Sequence, residues 1–314
     1  MRRTAEMKNY LVSVSGPTGI GKTDWAIRLA RHYHTEILSF DSRQFYREMS
    51  IGTAVPSPEE LGAVPHHFIQ HRSIHEPYSV GDFRRDTLKR MRELFRHHEL
   101  LILAGGSGLY LDAVTKGLDD FPEIEPGIRE ELIATYEKSG VVPLQKLLAA
   151  KDPQYHARVD LSNPHRLIRA LEICLGTGKP FSSFLGKRTA PDFFTHIPIG
   201  IQADREVIYS RINARVDRMM QNGLLEEARA LYPYRELAAL QTVGYQELFA
   251  FFDGVWDLKT AVREIAKNTR RFAKRQGTWL RRDPDIQWIP HNAPTEEAIR
   301  YIDMKMEETA GGAN

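Results

Sequence analysis

Leu11-Val-Ser-Val-Ser15 followed by Gly16-Pro17-Thr18-Gly19-Ile20-Gly21-Lys22-Thr23 decides the fold. The first five residues read as a short strand, the next eight satisfy Gly-x-x-x-x-Gly-Lys-Thr, and the pattern from Asp24 to about His34 is helical. Strand, glycine-rich loop and helix in that order is the context in which a phosphate-binding loop works. The glycines let the backbone curl so that successive N–H groups face phosphate oxygens, Lys22 adds a point charge, and the Thr23 hydroxyl can hold Mg²⁺. A diphosphate or triphosphate ligand is implied. Which bond breaks is not, because the loop holds a nucleotide or the pyrophosphate of another electrophile equally well.

Two further apolar segments extend the pattern. Glu36-Ile-Leu-Ser-Phe40 runs into Asp41, and Leu100-Leu-Ile-Leu-Ala104 runs into Gly105-Gly106-Ser107-Gly108. Strands alternating with helices predict an α/β fold, a P-loop NTPase-like parallel sheet flanked by helices. A P-loop kinase needs an acidic residue at the end of a neighbouring strand as a metal ligand, and the 100–104 strand ends in glycines instead. The acidic strand end is Asp41, on the same carboxyl edge as the phosphate loop. From Lys116 to about Pro191 the sequence turns helical, with no convincing strand, so residues 116–194 read as an all-helical insertion in a core made of 1–115 and 195–314. His196 to Gln202 returns as a strand, helices continue through Leu280, Ile286 to Ile289 makes a last short strand, and Thr309 to Asn314 reads as a polar tail with nothing to pack.

Composition sets the outer limits. With 314 residues, 42% hydrophobic and 43 Lys plus Arg against 41 Asp plus Glu, disorder, collagen and coiled coil are excluded. No apolar run approaches the roughly 20 residues that span a bilayer, and the basic start Met1-Arg2-Arg3 is followed only by the short run Tyr10 to Val14, so neither a signal peptide nor a membrane is expected. Cys174 is the one cysteine, which excludes a disulfide framework or Cys-rich zinc site and fits a reducing cytoplasm. His66, His67, His71 and His75 invite a zinc reading. Pro65 and Pro77 bracket that segment as loop and strand, and no acidic second shell is evident in the sequence, so a metal is not expected there. Net charge is only +2, but Arg263 to Arg282 carries eight basic residues against Glu264 alone, a stripe suited to nucleic-acid phosphates or, more blandly, a solvated helix face.

Several segments taken together resemble one family. They are Gly16 to Thr23, Asp41-Ser42-x-Gln44-x-Tyr46, Ile51-Gly-Thr-Ala54, His66-His67, Tyr78-Ser-Val-x-Asp82-Phe83 and Gly105-Gly-Ser-Gly-Leu-Tyr110. Downstream come Asn163-Pro-His-Arg166-Leu-Ile-Arg169, Arg211-Ile-Asn-x-Arg215, Val243-Gly-Tyr245 and Lys274-Arg-Gln-x-Thr-Trp-Leu-Arg281. In order and nearly throughout, the chain is similar to the tRNA dimethylallyltransferases, or tRNA isopentenyltransferases. It departs at Ser107, where the family usually has Thr, and at His165, where it often has Gln. The resemblance implies transfer of a dimethylallyl group from dimethylallyl diphosphate to N6 of the adenosine at position 37, 3′ of the anticodon, in tRNAs reading codons that begin with U. Mg²⁺ assists, and the acceptor is bound through its anticodon stem-loop by a cytoplasmic monomer. Two other enzymes remain as alternatives, an adenylate isopentenyltransferase and a P-loop nucleotide kinase, and a non-catalytic RNA-binding module is a third reading.

The residue roles come from both sources. The loop, Lys22 and Thr23 are expected on the pyrophosphate, with a Thr18 hydroxyl contact. Arg215, alone a member of a solvated arginine-rich face with Arg211 and Arg218, joins the site by resemblance. Asp41 by itself reads equally as a helix N-cap or a general base, and the resemblance implies the base. Ser42, Gln44 and Ser107 are hydrogen-bonding readers of a flipped base, Gln44 with the bidentate adenine contact that amides favour. By resemblance Arg43, Arg129, His165, Arg166 and Arg169 touch tRNA, together with Lys274, Arg275 and Arg281 of the basic stripe.

Overall fold

The computed structural model describes residues 8–125 and 127–311; the basic start at 1–3 and the tail residues 312–314 lie outside it. Six strands form one sheet: β1 (Tyr10–Ser15), β2 (Ile37–Ser39), β3 (His66–His67), β4 (Leu100–Gly105), β5 (Thr195–Gln202) and β6 (Gln287–Pro290). Their spatial order is β3-β2-β4-β1-β5-β6, and every pairing is parallel. The helices of the first part are α1 (Lys22–His32), α2 (Pro58–Ala63), α3 (Val80–Leu94) and α4 (Gly108–Thr115). Then come α5 (Ile128–Ser139), α6 (Val142–Lys151), α7 (Pro153–His156) and α8 (Pro164–Thr177). The last are α9 (Arg205–Gln221), α10 (Leu224–Leu231), α11 (Tyr245–Phe252), α12 (Leu258–Leu280) and α13 (Thr295–Gly311).

Two compact units result, residues 1–115 with 191–314, and Lys116–Ala190. In the first, every residue of β1 is buried, as a strand covered on both faces must be. Successive side chains go to opposite faces: Val12 and Val14 join Trp25 and Leu29 of α1 and Ala298 and Ile302 of α13, while Leu11 joins Phe83 and Met91 of α3 and Leu111 of α4. A third core gathers Val216, Leu224, Leu248, Phe249 and Ile265 from α9 to α12 around Tyr245. The second unit closes its own core with Leu132, Leu144, Leu148, Leu167, Leu171 and the lone Cys174, and no strand occurs among its described residues.

The sheet unit begins again at Pro191, a few residues before the expected 195, because Phe193 and Phe194 pack their rings on Phe95 after α3. The expected tail from Thr309 is a correction: α13 runs to Gly311, anchored by buried Ala298 and Ile302 and by the Tyr33 hydroxyl on Asp303 Oδ1 at 2.9 Å. Only a few apolar positions mark it in an otherwise charged sequence. No helix among the described residues is long and apolar enough to cross a membrane.

Parallel register places the chemistry. Ser15 lies opposite Gly105 and Ser39 opposite Ala104, so the loop after β1, the turn after β2 and Gly106 after β4 emerge side by side at one sheet edge.

Candidate active site

At that edge Gly19 and Gly21 adopt φ of 82° and 100°, the left-handed region that glycine alone enters freely, and this closes the 16–23 loop onto α1. Gly21 supplies no side-chain cap, so the first-turn N–H groups of α1 remain available to an anion. The loop is braced from outside by three side chains. Arg211 donates to the Gly19 carbonyl at 2.8 Å, Arg215 donates to Thr18 Oγ1 at 3.1 Å, and Gln276 of α12 accepts from the Thr18 N–H at 2.8 Å. Gln276 also donates to the Gly106 carbonyl at 2.9 Å, tying the loop to the end of β4. The Thr18 amide is therefore committed to Gln276, whereas the loop motif alone offers every N–H to phosphate.

A cavity of about 770 Å³ opens over the loop, lined by Thr18, Gly19, Lys22, Thr23, Asp41, Gln44, Arg211, Arg215 and Arg218 among others. Lys22 Nζ rests on the Pro17 carbonyl at 3.0 Å. Burial lowers its pKa to about 8, with Asp41 working against the shift and Arg215 adding to it. Burial likewise lowers the pKa of Arg215. The charged ammonium is the form that binds an anion, and it is lost as pH rises through about 8. Inorganic pyrophosphate is thus expected to bind with proton uptake near pH 8 and more weakly above it. Titration calorimetry in buffers of different ionisation enthalpy checks this; heats independent of buffer contradict it.

Asp41 comes after β2 but starts no helix. Its carbonyl accepts from Gln44 N at 2.9 Å and its Oδ1 from Arg43 N at 3.2 Å, so it caps a turn, and among the described residues nothing donates to its Oδ2. The N-cap alternative fails for want of a helix. The turn acts as a partition: Asp41 and Gln44 face the phosphate cavity, while Ser42 and Arg43 line a second cavity of about 460 Å³ with Ser107, Phe272, Arg275, Gln276 and Trp279. Between them a cleft of about 40 Å³ touches Thr18, Asp41, Arg43 and Arg215. Ser42 and Ser107 share a hydrogen bond of 3.1 Å between hydroxyls. The Arg43 guanidinium lies 4.0 Å from the Phe272 ring centre, with Arg275 at 5.7 Å. Gln44 is buried and gives its amide hydrogens to the carbonyls of Thr53 and Ala54, at 3.3 and 2.8 Å. The bidentate base contact expected of it would need one of these broken; its Oε1 is the atom at hand.

The family model for IPP transferase matches residues 44–283. The chain belongs to the IPP transferase family. It is 57% identical over 300 residues to the tRNA dimethylallyltransferase of Christiangramia forsetii, covering 96% of this chain and 99% of that one. It is 52% identical to the tRNA dimethylallyltransferase of Flavobacterium johnsoniae, covering 93% and 97%. Among solved structures it is similar to the full-length tRNA isopentenylpyrophosphate transferase of Bacillus halodurans, with TM-score 0.72, 36% identity and coverage of 97% and 99%. A eukaryotic dimethylallyltransferase acting on tRNA shares the fold at TM-score 0.77 and 24% identity, covering 90% of this chain and 74% of that one.

Membership in the IPP transferase family supports the transferase reading over the kinase. The remaining sequence candidates fall in two places. On α12, Lys267 pairs with Glu264 at 2.9 Å and Arg270 bonds Asn213 at 2.7 Å, so part of the expected stripe is spent inside the protein, while Lys274, Arg275 and Arg281 stay exposed. Arg129, His165, Arg166 and Arg169 belong to the helical unit, where Arg129 and Arg169 share Glu172 at 3.1 and 2.8 Å. The histidine segment does have an acidic neighbour, contrary to expectation: Glu36 meets His67 Nε2 at 2.6 Å and His98 Nε2 at 3.5 Å. His66 Nδ1 instead faces the Val64 carbonyl at 2.7 Å. Two site residues that sequence reasoning misses are Gln276 and Arg211. Arg211 lies one helical turn before Arg215, and this spacing is the available signal.

Proposed function

We propose that the chain transfers a dimethylallyl group from dimethylallyl diphosphate to N6 of the adenosine at position 37, 3′ of the anticodon, in tRNAs reading codons that begin with U, with release of diphosphate. The observation that carries this reading is the Asp41 carboxylate, whose Oδ2 accepts no hydrogen bond among the described residues, beside a phosphate loop whose neighbouring strand ends in glycines. A carboxylate at that point suits proton removal from an amine, and β4, the strand beside the loop, carries no acid of the kind phosphoryl transfer takes from that position.

The adenine amine is a weak nucleophile because its lone pair is delocalised into the ring, so stabilising the leaving group is the main lever. Lys22, the first-turn amides of α1 and Arg215 neutralise charge that gathers on the pyrophosphate as the allylic C–O bond breaks. The N6–C bond forms, and the N6 proton passes to Asp41, from which solvent removes it. Thr23 in the cavity wall offers the single hydroxyl that Mg²⁺, a hard cation held mostly by phosphate and water oxygens, asks of a protein. Bound there, Mg²⁺ would supply further charge neutralisation on the leaving group. Ser42, Arg43, Ser107 and Arg275 surround the space for the flipped base, whose amine edge reaches past the turn to Asp41 and Gln44 in the phosphate cavity. Exposed Lys274 and Arg281, with Arg129, His165, Arg166 and Arg169 of the helical unit, meet RNA phosphates. We read the enzyme as a cytoplasmic monomer.

Two measurements test the proposal. Expression in cells lacking their own enzyme should add the mass of one dimethylallyl group to tRNAs with adenosine 3′ of the anticodon, and unchanged tRNA would argue against it. Affinity for an anticodon stem-loop should fall with log salt by about 0.7 to 0.9 per phosphate contact. A flat dependence removes the basic helix from the RNA surface.

A further inference from the structure

Glu227 of α10 belongs to none of the motifs above, yet its carboxylate is among the most heavily engaged in the chain. Oε2 accepts from the main-chain N–H groups of Ser50 and Ile51 at 3.0 and 2.8 Å, and Oε1 accepts from Gly52 N at 2.9 Å and from the Tyr245 hydroxyl at 2.7 Å. Three successive amides pointing at one carboxylate form an anion nest filled by the protein itself. Burial, and then the Glu227 charge, push the Tyr245 phenol upward, so it stays a donor. The ring of Tyr245 occupies the space a side chain at Gly52 would need, with a Cβ there falling 2.6 Å from it.

The nest shapes the next turn of the chain. Ala54 sits at φ 49°, uncommon for a residue with a Cβ, and is held by its N–H on the Ile51 carbonyl at 3.0 Å and by Val55 N on the Ser50 carbonyl at 3.1 Å. This conformation turns the carbonyls of Thr53 and Ala54 onto Gln44 Nε2. The Gln44 backbone is fixed independently, its N–H on the Asp41 carbonyl at 2.9 Å and its carbonyl under Gln70 N at 2.8 Å. With both amide hydrogens spent on carbonyls, the orientation of the amide is set by chemistry, since oxygen in place of Nε2 would face two oxygens. Gln44 meets the cavity beside Asp41 as an acceptor only.

We infer that Glu227 is a positioning residue for base selection: by ordering residues 50–54 it locks the Gln44 amide so that Oε1 faces the reacting base edge and favours an exocyclic amine over a carbonyl. Adenine has two N6 hydrogens, one for Asp41 and one for Gln44 Oε1, whereas guanine presents an oxygen at the same place. The inference rests on the proposed function, and it adds a discriminating device outside the cavity wall.

The test compares equilibrium binding of two anticodon stem-loops, one with adenosine and one with guanosine 3′ of the anticodon, to wild type, Glu227→Gln and Tyr245→Phe, each checked for a cooperative thermal transition. A glutamine at 227 turns an N–H₂ group toward the nest, so Glu227→Gln should lose about tenfold in the adenosine-to-guanosine ratio, and Tyr245→Phe severalfold. A purely structural role lowers the active fraction for both RNAs and leaves the ratio alone. An unchanged ratio in folded Glu227→Gln overturns the inference, and so does an unchanged ratio in Tyr245→Phe should Glu227→Gln fail to fold. A wild type that binds both RNAs alike overturns the functional reading itself, a result recognisable because it needs no variant.

Discussion

An Asp41→Asn enzyme turns over about a hundredfold or more slowly than wild type, as is usual on loss of a general base, while its affinity for an anticodon stem-loop changes little. Asparagine is the informative replacement because it retains the oxygen that accepts from Arg43 N, and with it the turn that carries Ser42 and Gln44. The effect therefore isolates proton acceptance from loop geometry. Single-turnover transfer at saturating donor and RNA measures it directly. A variant with near-wild-type turnover would assign the proton to another group and return Asp41 to a turn-capping role.

Lys22→Ala lowers kcat/KM for dimethylallyl diphosphate by about 10²- to 10³-fold, the range seen when one preorganised donor is removed from a developing anion. The structure gives the reason for a value at the high end. Lys22 is half-buried beside Arg215; burial lowers the pKa of both, and the Arg215 charge adds to the shift on Lys22. That unfavourable arrangement relaxes when charge accumulates on pyrophosphate, so the interaction is stronger in the transition state than in the free enzyme. RNA binding should be spared, since Lys22 lines the phosphate cavity and not the second cavity where Arg43 and Arg275 lie. A Lys22→Ala enzyme with unaltered kcat/KM for the donor would place the diphosphate elsewhere.

Strong local chemistry is what makes parts of this molecule readable from sequence. The loop from Gly16 to Thr23, the apolar strands and the basic run on α12 each carry their signal in a few consecutive residues, and the parallel sheet is implied by their alternation. Asp41 could be found because a strand end in a parallel sheet has only one place to go. The 295–311 helix escaped because its buried face amounts to a few residues among charges. The bonds of Gln276 to Thr18 and Gly106 span about half or more of the chain, and no local pattern marks a glutamine that will clamp a loop 258 residues away. The nest of Glu227 is hidden for the same reason, its partners lying 175 to 177 residues upstream. Arg270 lies within the basic run on α12, and packing of α12 on α9 gives its guanidinium a partner, Asn213, that the run itself does not indicate.

We propose a reaction in which this phosphate loop holds a leaving group and the acceptor is one tRNA adenosine. It is tested by incubating the protein and Mg²⁺ with radiolabelled dimethylallyl diphosphate and, in parallel, unmodified tRNA with adenosine 3′ of the anticodon, the same tRNA with guanosine there, and AMP. Label on the adenosine tRNA alone, with one pyrophosphate released per label transferred, is the expected result. Label on AMP, or ATP consumption without any label transfer, would contradict it.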